Sequence, residues 1–109
     1  MSAKLPEPIG AYFEGANQQD IDAVAACLNR DAVVRDEGRE WRGIAAIREW
    51  AEEASRKYRP TANVIDVAAM AGKTIVAGRV SGDFPGSPVE LLYVFTLGGE
   101  KIARLEILS

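Results

Sequence analysis

Apolar residues recur at helical spacing three times before residue 60 and alternate along longer runs after it. Ile9, Tyr12, Phe13 and Ala16 share one face of a first helix. Pro6 and Pro8 open it, because a missing N–H costs little in a first turn. Asn17-Gln18-Gln19 breaks that pattern. Asp20 is placed to cap a second helix whose apolar face is Ile21, Val24 and Leu28, ended by Asn29-Arg30-Asp31. Residues 32–37 alternate as a strand, Gly38 turns it, and 40–42 return. Gly43 then caps a third helix, with Ile44, Ile47, Ala51, Ala54 and Tyr58 along one stripe. Pro60 stops it.

The remainder reads as strands over 61–71, 74–84, 89–97 and 101–107, joined at Gly72-Lys73, Pro85-Gly86-Ser87-Pro88 and Gly98-Gly99-Glu100. Short turns of this kind give antiparallel neighbours. Helices first and long strands last predict an α+β fold, with the helices packed on one face of a curved, mixed, mostly antiparallel sheet. Leu91, Tyr93, Phe95 and Leu97 alternate with Leu92, Val94 and Thr96, so both faces of that strand are apolar. One face meets the helices. The other also needs cover, and the expectation is a homodimer packed sheet to sheet. The alternative is that the protein's own helices and tail hide that face.

Composition narrows the chemistry. The 109 residues suit a single domain over 1–109, and 48% are hydrophobic, enough for a core without staples. With 13 Lys and Arg against 16 Asp and Glu, the net charge is -3, which argues against nucleic acid or an anionic membrane as partner. The single cysteine, Cys27, rules out an internal disulfide and reads as a small buried hydrophobe. The first eight residues show no leader-like apolar run, and no stretch is long enough to span a membrane. A cytoplasmic setting is expected. There is no histidine. That removes the commonest general base, the serine and cysteine triads that rely on it, and every His-containing zinc site. No group of carboxylates has metal-ligand spacing, and no cofactor motif is present. Gly98-Gly99 joins two strands and opens no helix, so it is not a phosphate loop.

Carboxylates and phenols are left for acid–base work. Asp36 follows Val33-Val34-Arg35, so its side chain shares a face with Val34. Beside an apolar interior its pKa would rise towards the range a general base needs. Equally, Asp36 can simply open the turn at Glu37-Gly38.

The stretch 32–58, a short strand, a tight turn, a second short strand, a glycine and a helix, resembles the SnoaL-like branch of the nuclear transport factor 2-like superfamily. The helical N-terminus and the four later strands extend that likeness over nearly the whole chain. The resemblance implies a cystatin-like cone enclosing one apolar pocket, with Asp36 in its wall. Ketosteroid isomerases of this superfamily share the layout. The resemblance places their general-base aspartate at Asp36, their oxyanion-donor tyrosine at Tyr12, and their third group, an aspartate, at Tyr93, whose phenol can still donate. Tyr12 can alternatively be plain core. Limonene-type epoxide hydrolases hold an arginine between two aspartates. The matching positions here are Arg79, Ser81 and Ile107, so that triad is broken and epoxide hydrolysis is disfavoured. The polyketide cyclase that names the branch relies on an aspartate with histidine nearby, and no histidine exists here.

Trp41, Trp50, Tyr58, Arg79 and Phe95 are the candidate ligand-binding residues. The tryptophans either line the pocket or anchor the core. Arg79 points inward, to Asp36 or an anionic ligand group, or outward to solvent. The expected function is binding of a small apolar, weakly acidic or carbonyl-containing molecule. The alternative is a cofactor-free isomerase or cyclase using Asp36 as base with Tyr12 and Tyr93 as oxyanion donors. A filled cone serving only as an interaction module is the third reading.

Overall fold

Ile9, Tyr12 and Phe13 are buried along one side of α1 (Glu7–Asn17), as their spacing predicts. In α2 (Ile21–Ala26) the Asp20 carboxylate accepts the Ala23 N–H at 3.1 Å and caps the first turn. This helix is shorter than its apolar spacing suggests. Leu28 does not continue it. It opens β1 (Leu28–Asp36), whose start pairs with Ile102, and Asn29-Arg30-Asp31 are strand residues. Leu28 suits either element, and pairing with the far end of the chain decides between them. After β1 come β2 (Arg39–Arg42), α3 (Ile44–Tyr58), β3 (Thr61–Met70), β4 (Lys73–Ser81), β5 (Val89–Gly98) and β6 (Lys101–Leu108). This computed structural model describes residues 4–109; the first three, part of the segment read for a leader, lie outside the described residues.

The fold is α+β. The strands form one sheet in the order β2-β1-β6-β5-β4-β3. β1 runs parallel to β6 and every other neighbouring pair is antiparallel. The sheet is therefore mixed and mostly antiparallel. The strand–turn–strand–Gly–helix stretch forms as read. Gly43 has φ 84, a left-handed value that favours glycine, and its carbonyl accepts the Ile47 N–H at 3.0 Å. β4 ends earlier than its pattern, at Ser81. Gly82 there passes so close to the end of α3 that a Cβ would lie 2.5 Å from the Tyr58 carbonyl oxygen. The Asp83 N–H donates to that same oxygen at 2.7 Å, which ties the β4–β5 loop to α3.

All three helices lie on one side of the sheet, α1 over β3 and β6 and α3 over β1 and β2. Across that inner face the residues stand in rows. Val34, Leu105 and Phe95 are register partners in one row, and none has any exposed surface. They form the sealed floor of the core. The next row runs Asp36, Ile107, Tyr93 and Val76. On the far face, Leu92 and Leu108 are register partners, 46% and 42% exposed. Arg35, Glu40, Arg104 and Glu106 form linked ion pairs of 3.4 to 3.8 Å on that side, so this face is more polar than the alternation suggests. No helix among the described residues is long and apolar enough to cross a membrane.

Candidate ligand cavity

Where the sealed row ends, the space between helices and sheet opens into a cavity of about 660 Å³. That lies within the range of small-molecule sites, roughly 300–1,000 Å³. Its existence follows from a taper along α3. The apolar stripe of that helix begins with Ile44 and Ile47 and continues as Ala51 and Ala54. Ile47 is buried in the core, whereas the two alanines line the cavity. Small side chains leave the volume that large ones filled one turn earlier.

Asp36 stands at the end of β1 on the cavity wall and is half-buried. The Trp50 indole N–H, from α3, donates to its Oδ2 at 3.2 Å. Burial pushes the Asp36 pKa above its usual 3.8 and the negative Glu37 adds to the rise, while the Trp50 hydrogen bond opposes it. Tyr93 lies two strands away in the same row, with Ile107 between, which sets the Asp36 and Tyr93 backbones about 10 Å apart. Tyr12 comes down from α1. Both tyrosines line the cavity. Among the described residues neither phenol has a hydrogen-bond partner, and neither is a sealed, unsatisfied group. Both hydroxyls therefore open on the cavity. Burial holds the Tyr93 pKa at about 12, with Asp36 contributing. Burial and then the neighbouring Tyr93 lift Tyr12 well above its usual 10. Both phenols thus remain neutral hydrogen-bond donors at any ordinary pH.

Trp50 and Tyr58 also line the cavity. Tyr58 meets Phe84 of the β4–β5 loop edge to face, 5.9 Å between centroids, so that loop contributes to the wall. Three expected ligand-binding residues stand elsewhere. Arg79 is on the far face, where it pairs with exposed Glu90 at 3.6 Å. The reason is strand parity, since Gly78 and Val80 on either side face inward. Phe95 belongs to the sealed row, beneath Tyr12 and Phe13 at centroid distances of 5.7 and 5.8 Å. Trp41 pairs with Val34 at the end of that row and packs on Trp50, 6.1 Å between centroids. It buttresses the residue that holds Asp36 and does not line the cavity.

Two polar residues on the wall come from the segment whose pattern signals only a helix break. Asn17 exchanges two hydrogen bonds with the Ala62 backbone, 2.9 and 2.8 Å. Gln19 donates to the Pro60 carbonyl at 3.1 Å and accepts from the Ser55 hydroxyl. They fasten the end of α1 to α3 and β3. Cys27 is buried, and its thiol donates to the Val24 carbonyl at 3.0 Å. Among the described residues no three His, Cys, Asp or Glu side chains cluster as a metal site would require.

The family model of the SnoaL-like domain matches residues 9–105. The chain belongs to the SnoaL-like family. A protein from Sinorhizobium meliloti proposed to be a polyketide cyclase superposes on it with a TM-score of 0.91 at 40% identity, over 94% of each chain. A Catenulispora acidiphila protein of ketosteroid isomerase-like fold, solved with trimethylamine, superposes with a TM-score of 0.86 at 14% identity, over 97% of this chain and 87% of its own. A Novosphingobium aromaticivorans protein of cystatin fold gives 0.80 at 21% identity, over 100% of this chain and 99% of its own. At those identities the last two show the shared cone architecture alone. No curated protein matches the chain.

Proposed function

We propose that this SnoaL-like protein binds a small, largely apolar, carbonyl-containing molecule in the cavity between its helices and sheet. The observation that carries this reading is the wall itself. A largely apolar cavity of about 660 Å³ has Asp36 and two unpartnered phenols opening into it. A ketone oxygen would accept from Tyr12 or Tyr93, and the apolar body would replace water against Phe13, Ala54 and Leu91. Neither a cofactor nor a metal is needed, and with a lone buried thiol the protein suits a reducing cytoplasm.

Filling the taper tests this. Ala54→Phe is expected to weaken binding of adamantanone, followed by calorimetry, by at least tenfold. The unfolding free energy should change by less than about 1 kcal/mol, because the new ring enters empty space. Unaltered affinity would place the ligand elsewhere.

A second reading is favoured by the grouping of Asp36 with both phenols. In it the Asp36 carboxylate takes a proton from the carbon next to the carbonyl. In a substrate with a double bond one carbon further on, the electron pair moves onto oxygen, where Tyr12 and Tyr93 donate to the developing dienolate, and the proton returns from Asp36 at the far carbon of that double bond as the carbonyl re-forms. This is isomerase-type chemistry, and a cyclase would start from the same proton removal; the Sinorhizobium relative is proposed to be a polyketide cyclase.

We also propose a homodimer through the far face of the sheet. The apolar Leu92–Leu108 pair lies on the same face as the Arg35, Glu40, Arg104 and Glu106 ion pairs, so a symmetric copy would meet both apolar and complementary charged surface. Sedimentation at tens of micromolar protein is expected to report a dimer, and a monomer alone would sink the idea.

A further inference from the structure

The charges on the cavity wall all have one sign. Among the described lining residues, Asp36 and Glu37 bring the only side-chain carboxylates, and neither lysine nor arginine is present. The aromatic share is large, with Tyr12, Phe13, Trp50, Tyr58, Phe84 and Tyr93 all contributing. Arg79, the cation that the sequence offered for an anionic ligand, is occupied by Glu90 on the other side of the sheet.

Each element around Asp36 repeats this pattern. Its neighbour Glu37 is acidic. Tyr12 from α1 and Tyr93 from β5 are neutral phenols, α3 supplies the uncharged Trp50 donor, and β6 supplies Ile107. β2 places Arg39 opposite Asp36 in the register, but its guanidinium lies over the Trp41 ring at 5.2 Å. Among the described residues no cation pairs with Asp36.

We infer that the cavity selects its ligand by charge, taking apolar amines as ammonium ions in preference to neutral molecules of the same shape and rejecting carboxylates. The inference rests on one part of the proposed function, that a small apolar molecule enters this cavity, and replaces the carbonyl by a charged amine as the preferred polar group. An ammonium ion entering an apolar space loses its water, and two features here replace it. The Asp36 carboxylate supplies the opposite charge, and aromatic faces attract cations more strongly when both are desolvated. A carboxylate ligand would meet two like charges and no positive partner. The expectation of a weakly acidic ligand is therefore reversed.

The test uses three probes that share one cage and differ in one group: adamantylammonium, adamantanol and adamantane carboxylate, titrated by calorimetry near neutral pH. The ammonium is expected to bind at least tenfold more tightly than the alcohol, and the carboxylate at least tenfold more weakly. In Asp36→Asn the ratio of ammonium to alcohol affinity should fall to about one. If the alcohol binds but the ammonium is no better, or the carboxylate equals it, charge selection is overturned while the cavity reading stands. If none of the three binds, the cavity reading falls and this inference with it. A ratio that survives in a folded Asp36→Asn protein would overturn Asp36 as the partner. Should that variant not fold, the wild-type comparison still decides.

Discussion

Phe95→Ala is expected to destabilise the protein by about 4 kcal/mol, the middle of the range for truncating a buried aromatic. Phe95 has no exposed surface and is the largest fully buried side chain among the described residues. Its ring contacts Tyr12 at 5.7 Å and Phe13 at 5.8 Å, both edge to face, and stacks near Tyr93 at 6.3 Å between centroids. Truncation would remove its apolar burial and leave a void that the sheet and α1 cannot close from both sides. Domains of this size are stable by roughly 5–15 kcal/mol, so such a loss consumes much of the margin. The same void lies under both cavity phenols. Affinity for adamantanone should therefore fall as well, although Phe95 does not line the cavity. Urea denaturation measures the first effect. A loss under about 1 kcal/mol would mean that the aromatic cluster is not the centre of the core.

Phe95 also shows where sequence reading stops. Its face was legible from alternation, and the same reasoning put Tyr93 beside it. Yet Tyr93 lines the cavity and Phe95 does not, because they occupy successive rows and the cavity opens over only one of them. Depth of this kind depends on where α1 and α3 cross the sheet, which no local pattern encodes. The boundary at Leu28 failed for a related reason, since its strand partner comes from the end of the chain. Other features were available in the sequence itself. The parity of β4, with Val76 and Val80 buried, already turned Arg79 outward. The passage from isoleucine to alanine along α3 already announced a space. What local chemistry does specify came out as expected: the caps at Asp20 and Gly43, the helix-period stripes of α1 and α3, and the strand–turn–strand–Gly–helix layout. The family resemblance carried by that layout put Asp36 on a pocket wall, where it stands, whereas the Trp50 hydrogen bond that orients it joins two elements and leaves no local trace.

Asp36→Asn is expected to leave the protein at least as stable near neutral pH, and by up to about 1 kcal/mol more stable. The amide keeps the shape of the carboxylate and its oxygen can still accept the Trp50 N–H, while a half-buried negative charge without a cationic partner is removed. The sign of the pH dependence follows from the raised pKa. Between the unfolded value of about 3.8 and the higher folded value, the folded protein binds the proton and the unfolded chain has lost it. Wild-type stability should therefore fall as pH rises through that window, and this component should be missing from the variant. Stability curves of the two proteins against pH should converge at the acid end and separate above it. If Asp36 is a base, turnover of a carbonyl substrate should drop by about 10²–10⁴-fold in the same variant. Trp50→Phe isolates the positioning role. It keeps an aromatic wall but deletes the donor, so the Asp36 pKa should climb further and the acid limb of any pH–rate profile should move upward with it. A merely structural Trp50 would leave that limb in place. Destabilisation of Asp36→Asn by more than about 2 kcal/mol would assign Asp36 to the architecture of the β1–β2 turn, and the case for a base in this cavity would be lost.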